Sequence, residues 1–172
     1  MELTVSGNTV FASTGGRALD RDAPLIVLIH GAGMDHSVWS LQTRYLAHHG
    51  RSVLAVDLPG HGRSGGEPLT TIEDLADWVP KLIDAAGFGQ AALVGHSMGA
   101  ITALEAATRH PERVRALALL GVAERSARLD AKRETVHISR RCGGVESHLD
   151  GSLRGGKHNS GAQRQPIVIA SR

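Results

Sequence analysis

Between Leu25 and Leu120 the apolar residues follow two alternating patterns. Stretches almost free of polar residues occur at Leu25-Ile26-Val27-Leu28-Ile29, within Ser52 to Asp57, at Ala91-Ala92-Leu93-Val94 and within Val114 to Leu120. Such runs predict strands covered by helices on both faces. The segments between them carry helical spacing instead. In Ser37 to His49, Val38, Leu41, Tyr45 and Leu46 recur at that spacing, and Gly50 is a natural stop. Thr71 fits an N-cap, followed by the stripe Ile72, Leu75, Ala76, Val79, Leu82, Ile83 and Ala86, with Pro80 predicting a kink or a split. Ala100 to His110 is alanine-rich and stops at Pro111. Upstream, Leu3 to Ser6 and Thr9 to Ser13 predict an edge hairpin turning at Gly7-Asn8. The alternation predicts an α/β fold over residues 1–123: a mostly parallel, doubly wound sheet.

From Glu124 the periodicity stops. Residues 124–172 are rich in Arg, Gly, Ser and His, and a helix is suggested only at Glu134 to Arg141, so a poorly ordered, atypical tail is expected. A sheet ending at Val114 to Leu120 would leave that strand as an unpaired edge prone to association.

Composition narrows the function classes. With 172 residues, 41% apolar and 21% charged, the chain suits one soluble domain. The net charge is only +2, and the arginines are spread out without a basic block or interleaved aromatics, so no nucleic-acid partner is expected. Cys142 stands alone and cannot form an internal disulfide. Met1-Glu2-Leu3-Thr4 starts no export signal and no apolar run is long enough for a bilayer, so a cytoplasmic protein without membrane attachment is expected. The ten histidines show neither His-x-x-x-His nor Cys/His ligand spacing, and no metal site is expected.

Candidate chemistry centres on Leu93-Val94-Gly95-His96-Ser97-Met98-Gly99-Ala100, a strand running directly into a helix. Gly95-x-Ser97-x-Gly99 is the nucleophile-elbow pattern, in which a sharp turn strains the serine backbone and crowds the positions two before and two after it. The helix beginning there points free N–H groups and a positive dipole end toward charge developing beside Ser97. Acyl transfer is the chemistry this suits. Two more motifs accompany it: His30-Gly31-Ala32-Gly33 after the Leu25–Ile29 run, and Asp57-Leu58-Pro59-Gly60-His61-Gly62-Arg63-Ser64 after the next.

With these three motifs, Leu25 to Ala123 resembles the α/β-hydrolase superfamily, especially its small esterase-like and lactonase-like members, whose elbow commonly reads Gly-His-Ser-Met-Gly. The resemblance implies Ser97 as nucleophile and the backbone N–H groups of Ala32 and Met98 as the oxyanion hole. Gly31 and Gly33 would let a substrate carbonyl approach the backbone. A serine at the elbow argues against the haloalkane dehalogenase and epoxide hydrolase branches. Because the family order is Ser, then acid, then His, the earlier His30 is expected to pack and orient its loop and Asp57 to fix its own. Gly60-His61-Gly62-Arg63-Ser64-Gly65 also fits a dinucleotide fingerprint, but Pro59, Gly66 and Pro68 prevent a helix from opening there, so no cofactor is expected.

The resemblance further implies a seventh strand followed by an acid and an eighth followed by a histidine. Gln165 to Ala170 resembles the start of the seventh, while no acid or histidine motif of that kind is found beyond it. Glu124 or Asp130, with His137, His148 or His158, are the residues left to complete a triad. Two readings follow. One is a serine hydrolase acting on a small-molecule ester, lactone or similar acyl substrate through an acyl-enzyme. The other is a truncated or frame-shifted hydrolase chain without a base for Ser97 and without turnover.

Overall fold

The apolar runs become neighbouring strands of one sheet in the computed structural model, which describes residues 1–121 and 167–171. The strands are β1 (Glu2–Val5), β2 (Asn8–Ser13), β3 (Leu25–Ile29), β4 (Ser52–Val56), β5 (Ala91–His96), β6 (Val114–Leu120) and β7 (Ile167–Ser171), in the spatial order β1-β2-β4-β3-β5-β6-β7. The central four, β4-β3-β5-β6, are parallel, and antiparallel pairings flank them. Ile29 of β3 is level with both Val56 of β4 and Gly95 of β5. The loops that leave these three strands therefore emerge at one edge, the carboxyl end where open α/β sheets place their ligands.

Helices cover both faces. On one, α2 (Ile72–Ala85) and α3 (Met98–Arg109) enclose the larger core, built on Val27, Ile29, Leu54, Val56 and Leu93. On the other, α1 (Ser40–His48) covers a smaller cluster of Leu28, Trp39, Ala47, Val53 and Ala55. Arg109 at the end of α3 forks onto Asp77 of α2 at 2.8 and 2.6 Å, and His110 adds a third contact at 2.7 Å. That guanidinium, with the His110 ring, holds the Asp77 carboxyl well below the usual carboxylate range. No helix among the described residues is long and apolar enough to cross a membrane.

Four expectations need correction. The hairpin turns one residue earlier than expected: Val5 pairs with Asn8, and Ser6 and Gly7, both at positive φ (50° and 82°), form the bend. Two consecutive left-handed residues match the strand twist, and Asn8 is left free to open β2. Pro80 does not split α2, which continues as one helix to Ala85. A proline in a helix costs about 3 kcal/mol, whereas burying each of Leu75, Val79, Leu82 and Ile83 contributes roughly 1.5–3 kcal/mol, so packing prevails.

Of the stripe expected for α1, Leu46 packs on the smaller cluster but Val38, Leu41 and Tyr45 do not face the core. Leu41 is 81% and Tyr45 62% exposed, while Thr43 and Ala47 face inward. Small residues are needed there because the chain at Gly15 presses on the helix: a methyl added to Gly15 would lie 2.6 Å from the Thr43 carbonyl oxygen and 2.9 Å from Ala47 Cβ. Finally, β6 is not an edge, since β7 pairs with it along Ala116 to Leu120. That pairing is antiparallel, so β7 does not extend the parallel sheet as a seventh strand of the expected kind. Glu124, Asp130, His137, Cys142, His148, His158 and the helix suggested at Glu134 to Arg141 lie outside the described residues.

Candidate active site

At the end of β5 the chain must reverse into α3 without a loop, and Ser97 takes the strain, with φ 52° and ψ −116°. Apart from Ser6 in the hairpin, it is the only non-glycine with positive φ among the described residues. Such a conformation costs of order 1–3 kcal/mol and persists only where the surroundings enforce it. Here they do. The Ser97 N–H donates to the Leu120 carbonyl at the end of β6 (2.9 Å), and its own carbonyl accepts from Ala100 and Ile101 in the first turn of α3.

Gly95 and Gly99 are small for steric reasons. A methyl at Gly95 would overlap the Gly99 carbonyl and lie 2.5 Å from Ala100 Cα; one at Gly99 would lie 2.5 Å from the His30 carbonyl oxygen and overlap that of Ile29. The elbow is thus a place where β5, α3 and the end of β3 touch backbone to backbone. Ser97 itself stands exposed, and Met98, the first residue of α3, has its N–H at the open end of the helix.

The loop after β3 comes up beside it. The Met34 N–H donates to the Gly31 carbonyl (3.2 Å), closing a turn with Ala32 and Gly33 at its centre. Gly31 and Gly33 serve different purposes. Gly33 has φ 66° with nothing within 4 Å, so backbone freedom is what matters there. Gly31 lies outside the left-handed region, but a methyl on it would sit 3.1 Å from His96 Nδ1 and 3.3 Å from both Met34 Sδ and Ser97 Cβ. Space is what it provides.

His30 anchors this loop from below. It is fully buried; its Nε2 accepts the Leu58 N–H (3.1 Å), so Nδ1 carries the ring proton and donates it to the Gly31 carbonyl (2.8 Å). Burial lowers its pKa, partly opposed by the Gly31 carbonyl. The unfolded chain therefore takes up this proton first. Stability is complete above the ordinary value of 6.5 and falls as pH drops below it, by at most about 1.4 kcal/mol per pH unit for one proton. Denaturation midpoints recorded between pH 8 and pH 5 should show that fall, and His30→Asn should flatten it; equal slopes in both proteins would contradict the assignment.

Asp57 holds the next loop and is also fully buried. Oδ1 accepts from the backbone N–H and ring Nδ1 of His36 (2.6 and 2.9 Å), and Oδ2 accepts from the Arg63 N–H (2.8 Å). Ser64 then bridges to β2, donating its hydroxyl to the Asp57 carbonyl (2.7 Å) and accepting the Phe11 N–H (2.9 Å). His36 as the partner of Asp57 was not read from the sequence. Asp35, His36 and Asp57 offer ligand atoms within 4.8 Å of one another, the arrangement among the described residues best suited to a cation. Asp57 Oδ1 is already taken by His36, however, and Asp35 Oδ1 accepts the Ser37 N–H at 2.8 Å.

The structure thus groups Gly31, Gly95, Ser97 and Gly99, with Ala32 and Gly33 in the adjoining turn and Met98 behind the serine. Among the described residues Ser97 Oγ has no hydrogen-bond partner.

A strained serine thus stands between a parallel strand and a helix, facing a glycine loop at the carboxyl edge of the sheet. Residues 24–137 match the family described as the alpha/beta hydrolase fold, and the chain belongs to that family. It is 35% identical over 127 residues to an (E)-2-((N-methylformamido)methylene)succinate hydrolase of Acinetobacter baylyi, covering 73% of this chain and 46% of that protein. It is 41% identical over 92 residues to a pimeloyl-[acyl-carrier protein] methyl ester esterase of Klebsiella pneumoniae, covering 54% of this chain and 34% of the other. The crystal structure of the enol-lactonase from Burkholderia xenovorans superposes with a TM-score of 0.59 at 33% identity, covering 67% of this chain and 44% of that one. The chain therefore spans less than half the length of these relatives.

Proposed function

We propose that the protein is a serine hydrolase of the α/β-hydrolase family, cleaving a carboxylic ester, lactone or similar acyl bond in a small molecule, without a cofactor. The observation that carries this is Ser97 itself, exposed at φ 52° on the N-terminal end of α3 and facing the Gly31 turn. In this reading Ser97 Oγ attacks the acyl carbon and its proton passes to a base. The Ala32 and Met98 N–H groups hold the oxyanion, the leaving group departs with a proton, and water opens the acyl-enzyme. Relatives are named both for cleaving a methyl ester or an enol-lactone and as epoxide hydrolases, so the choice of acyl substrates rests on the serine at the turn. A cytoplasmic setting, with neither nucleic acid nor membrane as partner, goes with this reading.

A second reading has one specific observation behind it: Ser97 Oγ has no hydrogen-bond partner among the described residues. The described histidines whose rings are hydrogen-bonded have other partners: His30 holds Leu58, His36 holds Asp57, His110 holds Asp77, and His49 and His61 bond the carbonyls of Tyr45 and Pro59. A serine without a base keeps its proton near neutral pH, and only binding and the oxyanion site remain to assist. The chain would then be a hydrolase fold without turnover. Hydrolysis of p-nitrophenyl butyrate by the purified chain, with intact mass after a fluorophosphonate probe, separates the two. The first reading expects turnover and one added label, both abolished by Ser97→Ala. A folded sample giving neither establishes the second.

A further inference from the structure

The free space at Gly31 is bounded by three side chains: Ser97, His96 and Met34. Two of them follow directly from the elbow, but Met34 does not. It is a large apolar side chain, 39% exposed, in a turn whose other residues, Gly31, Ala32 and Gly33, have almost no side chain. Its sulfur and Ser97 Cβ lie at the same 3.3 Å distance from the point a Gly31 methyl would occupy. Both side chains border that one point, so the exposed thioether offers apolar surface close to the space an acyl carbon would occupy on coming within about 3–3.5 Å of Ser97 Oγ. Methionine is flexible and polarizable, so it fits chains of differing shape without selecting a branched one.

We propose that Met34 is a specificity-determining residue: its thioether is the wall along which the substrate's chain lies next to the attacked carbonyl, selecting longer aliphatic acyl groups over short ones. This rests on Ser97 being the nucleophile and goes further by assigning a substrate class and the residue that sets it. Burial of a single methylene is worth about 0.8 kcal/mol, or roughly a fourfold preference, and contact with two to three gives about tenfold or more.

The test compares ethyl and octyl fluorophosphonates on the full chain, with labelling of Ser97 followed by intact mass. The wild type is expected to react about tenfold faster with the octyl probe. Met34→Gln keeps the length of the side chain but makes it polar, and should bring the ratio close to one; Met34→Leu, which remains apolar, should retain most of it. Circular dichroism of each variant checks that it folds. Labelling with an unchanged octyl-to-ethyl ratio in Met34→Gln overturns the role of Met34 while leaving Ser97 as the nucleophile. Absence of label from the folded wild type with both probes overturns the nucleophile reading, and this proposal with it.

Discussion

Gly99→Ala is expected to destabilise the protein by about 3 kcal/mol, although the exchange lies in a helix, where alanine is ordinarily about 1 kcal/mol better than glycine. The sign is reversed because α3 rests with its first turn on the end of β3. An added methyl would lie 2.5 Å from the His30 carbonyl oxygen and 2.8 Å from the Ile29 carbonyl carbon, backbone atoms at the last residue of β3 and the one after it. Neither can rotate aside, so the helix must lift and draw Ser97 with it. Urea denaturation of the variant should show a clearly lower midpoint, and Gly95→Ala should behave in the same way. A midpoint equal to or above that of the wild type would mean that helix and strand are not in backbone contact.

The second large effect is expected at Asp57, far from any role as triad acid. Removing a buried charged group strands its partners, and such losses cost about 3–5 kcal/mol. Asp57→Ala would leave the His36 and Arg63 backbone N–H groups and the His36 ring without their acceptor inside the structure. For a domain of this size the melting temperature should fall by roughly 10 °C. Asp57→Asn is informative because it nearly preserves shape: its oxygen still accepts from His36, while its NH2 group faces the Arg63 N–H, donor against donor. An intermediate loss is expected for it, and melting curves that coincide for all three proteins would refute the assignment.

The central strands could be read from the sequence because burial on both faces leaves an uninterrupted apolar run, a signal independent of neighbours. The elbow was legible for a related reason: Gly95 and Gly99 mark crowding that no other residue tolerates. The rest depended on contacts made across the chain. On α1, Leu46 of the expected stripe turns to the core, but the inward place of Ala47 could not be recognised locally, because Gly15, some thirty residues upstream, is what crowds its Cβ. Pro80 was read correctly as a local cost but outweighed by packing. Strand direction leaves no trace in a short apolar segment, so the antiparallel setting of β7 had to come from its partner. At the site, His36 and Met34 lie within the motif-bearing loop, yet which side chains turn toward Asp57 and Ser97 is decided by the Gly31–Met34 turn, a matter of backbone path.

The bond from the Ser97 N–H to the Leu120 carbonyl also has a bearing on the far end of the chain. It ties Ser97 to the terminal residue of β6. Among the described residues, the backbone contacts that clamp the serine come from β3, β5, α3 and β6, between Leu25 and Leu120. Sequence beyond Leu120 reaches this clamp through β7, whose Ile167 is paired with Leu120, so the strand that comes last in the chain braces the same residue that accepts the Ser97 N–H.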